Sequence, residues 1–585
     1  MSRISLRYSV ASVASDEKEA LSESRGDNAE SSPDGTAELG LSKERAWTPR
    51  CTALLIVVLA GLSAVVVHRI HVGEFSYNVD ETQHAVTGLF AADVMRDRPF
   101  AHPVQYTYEY YAQYPALAGV IHWPPLFYVV EGAFFLVLGP TVVAARLAIL
   151  FFSLVGLTFW FLLVRDLQDE WTAALATALL GLSPVVLLFE KAVMLEVPSL
   201  ALCLAATYFG VRYLREERKR DVYVFAILAA LALLTKQNAI YLAPFCVFAG
   251  VWLRGWKWFL RTDVWCAAAL CAVLIMPFYT LVYLMHWRPI AMDVQGVAQS
   301  HSYLRDLLFY WRALPGQLGW LLLGLSALGM VTSRWWDERA NTRVMLAWIA
   351  ACYVTFTAIG LKESRYALYW VPAFVYFAAG GLTRFFRRPV MRATATAIAG
   401  CVLVAIVIPA WAFQRPYVSG YEAAAQRVVQ ASKCGVILFD GDLAGDFIFF
   451  VRANDANRRF LVLRKALYAE RIKVRLGSVE LVHDSDDVRH LIHDDGVRFV
   501  VTMEGTPLLF DSQRRLREIL TGPDFELLGR FPIAGNDIGG TDPTLLVYVN
   551  RNYSPPAAKT LTIRMLTLSH DITVPFDRFT GVVEK

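Results

Sequence analysis

Three groups of ionisable residues draw attention because each stands where an apolar stretch gives way to polar chain. The first is Asp80-Glu81, in the run Tyr77-Asn78-Val79-Asp80-Glu81-Thr82. A carboxylate just outside a membrane can remove a proton from an acceptor hydroxyl while C1 of a sugar is attacked. Asp80 is equally suited to cap the helix expected over His84–Met95, and the two roles are compatible. The second group is Glu190-Lys191 with Glu196, in Phe189-Glu190-Lys191-Ala192-Val193-Met194-Leu195-Glu196-Val197-Pro198. Ionisable groups at the lip of a helix bundle are costly unless paired or wetted, and so they mark sites. Glu190 and Lys191 read more simply as a pair snorkelling to the interface. Glu196, farther from the apolar run and ahead of a proline, reads as functional. The third group is Lys236, Lys362 and Arg365, cations at span ends where the positive-inside bias does not place them. They could hold a lipid-carried phosphate, lysine as a point charge and arginine bidentately. Anchoring to lipid headgroups is the alternative.

Weaker signals surround these. His122-Trp123 leads into Pro124-Pro125, which reads as an ordinary helix start; His122 could orient a phosphate or a carboxylate. The tyrosines of Tyr106–Tyr114, Tyr108 among them, could stack on a sugar or form an interfacial aromatic belt. Gly441-x-x-x-Gly445 is no dinucleotide fingerprint and reads as a tight turn. Of the cysteines, all but Cys434 lie in or at the start of apolar stretches. No CxxC pair occurs, so neither a disulfide framework nor a structural zinc site is implied.

The elements that must position these groups are mostly apolar helices. The 585 residues are 56% hydrophobic and only 18% charged, against about a quarter charged in ordinary soluble domains. The charges nearly vanish in repeated apolar stretches of about 17–23 residues, the length that crosses a hydrocarbon core as helix. A soluble helical protein would need polar faces that most of these stretches lack. The clearest spans are Cys51–Val67, Val142–Val164, Ala173–Phe189, Ser199–Val211, Val264–Leu284, Leu318–Thr332, Val344–Leu361, Ala367–Leu382 and Ala393–Trp411. Val222–Leu253 reads as two short helices meeting at Thr235-Lys236-Gln237-Asn238. Placing the basic clusters at Arg212–Arg220, Arg254–Arg261, Arg334–Arg343 and Arg384–Arg392 inside puts the amino terminus inside and the carboxyl terminus outside. Pro124–Gly139, too short and carrying Glu131, must then not cross. The expected fold is an α-helical polytopic membrane protein of about 11 transmembrane helices plus an interfacial helix, with a C-terminal extracytoplasmic α/β domain. The expected division is a disordered cytoplasmic tail (1–50), not a cleaved signal peptide; a transmembrane domain (51–413) with a first external loop (76–123); and the α/β domain (414–585). The net charge of +4 is small, and basic residues gather at span ends rather than on one face, so nucleic-acid binding is not suggested.

With these residues in hand, the chain resembles the GT-C superfamily of membrane glycosyltransferases, close to the protein O-mannosyltransferases and the lipid A aminoarabinose transferases. The matching pieces are Asp80-Glu81 in a long first external loop, Pro124-Pro125-Leu126-x-Tyr128, Ala145-Arg146-Leu147, Met194-x-Glu196-x-Pro198, Leu233-Leu234-Thr235-Lys236, and Arg365-Tyr366 followed by Pro372. They run from about Ser76 to Trp411, and their order and spacing carry the likeness rather than any one motif. The resemblance implies an inverting transfer of sugar from a polyprenyl-phosphate carrier to a lipid, glycan or protein acceptor. Asp80 would be the base with Glu81 beside it, Glu196 the second acid, Lys236 and Arg365 the phosphate holders, and Tyr366 a substrate contact. Glu196 stands where these families more often have Asp, which leaves open a divalent cation held by Asp80 and Glu196. Some relatives have Glu-Lys where this chain has His122-Trp123, so that pair's role does not transfer. The expected location is a bacterial cytoplasmic membrane. Two rival readings are a secondary transporter or lipid-linked-sugar flippase, and a non-catalytic glycan-binding membrane protein. The former predicts ionisable groups at the bilayer midplane and repeat symmetry, not evident here except for Lys236.

Overall fold

A computed structural model describes residues 47–76, 78–117, 123–298, 303–360, 362–384, 392–464, 466–470, 478–536, 538, 542–556, 558–563 and 572–580. The amino-terminal tail expected to be disordered lies outside them but for residues 47–50. Ser42–Lys585 packs as one compact unit. Apolar helices dominate its first two thirds: α1 (Pro49–Val67), α2 (Val79–Asp97), α3 (Pro103–Gln113), α4 (Leu126–Leu138), α5 (Val142–Leu167), α6 (Glu170–Gly181), α7 (Pro184–Glu190), α8 (Glu196–Glu216), α9 (Lys219–Leu233), α10 (Leu242–Arg254), α11 (Thr262–Ala298), α12 (Tyr303–Leu318), α13 (Trp320–Trp336), α14 (Arg339–Ala358), α15 (Val371–Arg384) and α16 (Arg392–Ala412).

Among the described residues, α1, α5, α8 and the Thr262–Leu284 part of α11 are each long and apolar enough to cross a membrane. The number rises to six if the bent pairs α6–α7 and α12–α13 each count as one span. The expectation of about 11 also counted the shorter apolar segments. These helices, with the fold likeness described below, make the chain an integral membrane protein. The segment expected as a single span over Ala173–Phe189 is two helices bent by 67°. The cause is Pro184 at the first turn of α7: it has no N–H to continue α6 and starts a new helix instead. The break expected near Lys236 is present. Leu233 ends α9, and a 3-10 turn (Gln237–Tyr241) precedes α10. Helix α4 is 13 residues long, about 20 Å, short of a hydrocarbon core. Its Glu131 is fully buried against α2 with neither carboxyl oxygen hydrogen-bonded.

The C-terminal third contains β1 (Val418–Ser419), α17 (Tyr421–Ala431), β2 (Gly435–Asp440), α18 (Ala444–Asn454), β3 (Phe460–Arg464), β4 (Tyr468–Glu470), β5 (Ser478–Glu480), α19 (Ser485–Asp494), β6 (Val497–Glu504), α20 (Asp511–Leu520), β7 (Phe525–Pro532), β8 (Ala534–Gly535), β9 (Thr544–Asn550), β10 (Thr560–Ile563) and β11 (Ile572–Pro575). Its sheet runs β3-β2-β6-β9-β7, parallel among the first three strands and antiparallel thereafter. Every residue of β2 is buried, as a central parallel strand covered on both faces must be. In the sequence the short apolar runs Val436–Phe439, Phe460–Leu463, Val497–Val501 and Leu545–Val549 read as strands, and all four are present. Helix α18 and strand β7 were not foreseen. The tight turn read at Gly441 does exist, closing through left-handed Leu443, but α18 begins at the next residue.

Helix α2 is gripped from two sides. Gly132 of α4 lies so close that a Cβ there would sit 2.8 Å from the Ala92 nitrogen, and Gly445 of α18 abuts the Thr82 hydroxyl with no room for a side chain. Farther along α2, buried Asp93 accepts from Arg452 Nε at 2.9 Å and from the Tyr110 hydroxyl at 2.9 Å. Arg96 also pairs with Asp93 from its half-exposed side, so removing Arg452 leaves the buried carboxylate with part of its compensation gone. Arg452→Met is therefore expected to destabilise the protein by about 3 kcal/mol, read as a lowered unfolding temperature in detergent. Adding Asp93→Asn should recover part of that loss. A single variant that melts like wild type would show that the pair does not hold the C-terminal domain to α2.

Candidate functional site

The start of α2 settles which residue caps it. Asn78 Oδ1 accepts from the Asp80 backbone N–H at 3.1 Å, so the cap falls to Asn78 and not to Asp80. Asp80 is thereby left free to point elsewhere, and its Oδ2 accepts from Arg365 Nη1 at 2.9 Å. Arg365 sits on a 3-10 turn (Ser364–Trp370) ahead of α15. Its Nε also pairs with Glu363 and lies 3.6 Å from Glu196 Oε1. Glu196 opens α8, where the helix N-terminus favours a carboxylate. The same Oε1 accepts from Lys236 Nζ at 2.6 Å. Lys236 leaves the end of α9 with extended backbone (φ −154°, ψ 133°), which turns its side chain out of the helical line.

Asp80, Arg365, Glu196 and Lys236, four residues singled out by type and position, therefore meet at one place from four separate elements. The cluster is graded. The side chains of Lys236 and Glu196 are 3% and 1% exposed, those of Arg365 and Asp80 17% and 24%. Burial works against the Arg365 charge, but Glu196, Glu363 and Asp80 outweigh it and hold the guanidinium more firmly protonated than usual. Glu196 Oε2 is buried without a hydrogen-bond partner.

An aromatic wall backs the cluster. Lys236 Nζ lies 5.6 Å from the Trp123 ring, within cation–π range. His84 meets Trp123 edge-on at 5.7 Å, and its Nδ1 shares a 2.8 Å hydrogen bond with the Tyr128 hydroxyl. Burial, reinforced by the Lys236 and Arg365 charges, holds His84 well below its ordinary value, so the ring is neutral. His84 was not among the residues expected here, although it lies one helical turn after Asp80 and therefore on the same face. Tyr366 lies beside the cluster, with the Arg365 guanidinium 6.0 Å from its ring. Burial and then Glu363 push its hydroxyl up to about 12, so it stays a donor.

Other expected site residues are placed elsewhere or otherwise engaged. Glu81 is fully buried, and its oxygens accept from the Ser76 and Val193 backbone N–H groups (2.7 and 2.9 Å) and from Arg415 (3.4 Å). It is a bracket between chain segments. Lys362 Nζ donates to the carbonyls of Phe356, Thr357 and Ile359, capping the end of α14, and does not join the cluster. Tyr108 packs against the core of the C-terminal α/β region. His122 lies outside the described residues. Arg365 stands against Asp80 Oδ2 and Lys236 against Glu196 Oε1, so a divalent ion held by these two acids would share them with both cations. Among the described residues no group of three His, Cys, Asp or Glu side chains is placed to hold a metal.

Known proteins share this architecture. Residues 122–280 match the family model described as dolichyl-phosphate-mannose-protein mannosyltransferase. No curated protein matches the sequence. The crystal structure of ArnT from Cupriavidus metallidurans in the apo state superposes with a TM-score of 0.54 at 15% identity, covering 85% of this chain and 98% of that one. ArnT from the same organism bound to undecaprenyl phosphate gives 0.54 at 13% identity, covering 86% and 98%. The arabinofuranosyltransferase AftD from Mycobacteria gives 0.50 at 16% identity, covering 89% of this chain and 41% of that one. By fold, this chain is similar to ArnT and to the arabinofuranosyltransferase AftD, and residues 122–280 match the mannosyltransferase family model.

Proposed function

We propose that the chain transfers a sugar from a polyprenyl-phosphate carrier to an acceptor on the outer face of a bacterial cytoplasmic membrane, with inversion at C1. The observation that carries the reading is the convergence of Asp80, Arg365, Glu196 and Lys236. Arg365 and Lys236 are the right groups to hold a phosphate and to stabilise it as it leaves. The graded exposure divides the work. Asp80, the more accessible acid, takes the proton from the acceptor hydroxyl. The acceptor oxygen then bonds to C1 as the C1–O bond to the phosphate breaks, and that electron pair stays on the phosphate oxygen beside the cations. Glu196, dry and bonded to Lys236, serves as a positioning residue that keeps the lysine aimed. Undecaprenyl phosphate in the similarly folded ArnT supports a carrier of this class. The acceptor is a lipid, glycan or protein whose hydroxyl reaches Asp80.

Loss of the base should cost about 10²–10⁴ in rate. Asp80→Asn is expected to fall in that range for transfer from a polyprenyl-phosphate sugar in reconstituted membranes, with unfolding temperature near wild type. Lys236→Met should lower kcat as well as raise the KM for donor, and should lower the unfolding temperature because it leaves Glu196 buried without its lysine. Unchanged turnover in Asp80→Asn would remove the proposed base.

His84 supplies a pH test. Its pKa is depressed in the folded protein, so it gains a proton only well below 6.5 and carries none between pH 6.5 and 8. The pH–rate profile should therefore show no limb near 6.5. A limb there that disappears in His84→Gln would mean that His84 titrates during turnover. The sign for stability is also set: the unfolded chain protonates first as pH falls below 6.5, so His84 lowers stability on the acid side.

A further inference from the structure

A second recess lies at the end of α1, between its last turn, the end of α7 and the chain leaving α16. Its polar lining is lopsided in charge. Arg69, Arg146, Lys191 and Arg415 contribute four cations, and Glu190 one acid. Arg415 is balanced by Glu81. Arg146 is surrounded by the carbonyls of Ile70, Val72, Gly73 and Glu74, which supply dipoles but no charge. Glu190 does not pair with Lys191, as the sequence had suggested; Ser153 donates to it at 2.5 Å instead. Lys191 is 8% exposed, and among the described residues its Nζ hydrogen-bonds the Phe413 carbonyl, at 3.4 Å, with the Glu190 charge nearby. Glu190 Oε2 is fully buried and unbonded. Such an excess of positive charge in a partly dehydrated recess calls for an anion.

The approach to the recess is apolar. On α1, Ile56, Val57 and Val67 are exposed, and on α16 so are Val404, Ile408 and Trp411. The two helices meet where the His68 ring stacks on Trp411 at 4.1 Å, beside the recess. An anionic head with an apolar tail fits both features together.

We propose that this recess binds the phosphate headgroup of an anionic membrane lipid, with Lys191 and Arg69 as its charged contacts and the α1–α16 face as the track for its acyl chain. The inference does not rest on the transfer reaction. It concerns a site on the far side of the Asp80-Glu81 turn from the cluster, with Arg415 of its wall holding Glu81.

Native mass spectrometry of the full chain in detergent tests it, with phosphatidylglycerol set against phosphatidylcholine of the same acyl chains. Wild type should retain one phosphatidylglycerol at least about tenfold more strongly than phosphatidylcholine, and the Arg69→Gln/Lys191→Gln double variant should lose that preference. Lys191→Arg should keep it. Arg69→Gln alone, at an exposed position, should weaken retention without altering the unfolding temperature of lipid-free protein, which covers the case of a misfolded double variant. Equal retention of the two lipids, or a double variant that binds like wild type, would overturn the proposal. So would inorganic phosphate that stabilises the protein as well as phosphatidylglycerol does, since the apolar track would then contribute nothing.

Discussion

The charge balance at the mouth of the bundle constrains much else in this chain. Glu196 and Lys236 are almost wholly removed from water, and neither charge is tolerable there alone. Their partners arrive from places remote in sequence, so each contributing element has to stop or bend at the right height. Helix α9 ends at Leu233 and the chain turns extended at Lys236; a 3-10 turn rather than a regular helix carries Arg365; α8 starts on Glu196 itself. Each of these breaks costs some backbone hydrogen bonding within an apolar layer. What offsets that cost is a compact set of charges that satisfy one another and remain accessible at one edge.

The C-terminal region takes part in the same arrangement through α2. Glu74, just before that helix, accepts from the backbone N–H groups of Gly420, Tyr421 and Glu422 and so caps α17. Glu81 reaches Arg415, and Asp93 reaches Arg452. Asp97, at the end of α2, pairs with Arg458, so four carboxylates on or beside one helix engage the C-terminal region, leaving Asp80 as the acid that faces the bundle. This division explains why Glu81, adjacent to Asp80 in sequence, has a different task. The side chains of neighbouring residues on a helix point about 100° apart, so a pair of adjacent acids serves two directions and not one site.

Much of the cluster was legible because its residues violate a rule. Lys236 and Arg365 stand where cations are not expected, and Glu196 sits at the lip of an apolar stretch, so the cost of burying a charge makes each conspicuous. Lys362 violates the same rule for a different reason. A lysine after a helix can fold back on its last carbonyls, and sequence cannot tell that cap from a ligand contact. His84 and Arg452 were missed because a histidine or arginine within an amphipathic stretch looks like a solvated face until its partner is known. Among the elements, long apolar helices were legible from length alone. Helix α18 was hidden by the turn that precedes it, and β7 by its mixed polarity and the register shift near Gly529.

The ionic cluster and the cationic recess meet at the start of α2. Asp80 turns toward Arg365 on one side, and Glu81 toward Arg415 on the other. Adjacent carboxylates therefore divide the available negative charge between two neighbouring sites without moving the backbone. In the proposed reaction a phosphate at the first site competes with Asp80, which is 24% exposed, for Arg365. In the second recess the proposed contacts are Lys191 and Arg69, so Glu81 keeps Arg415 and its two backbone N–H donors. Under the two proposals Asp80 is the acid that ligand entry releases for chemistry while Glu81 stays fixed, and that difference in anchoring separates the proposed reaction site from the proposed lipid recess.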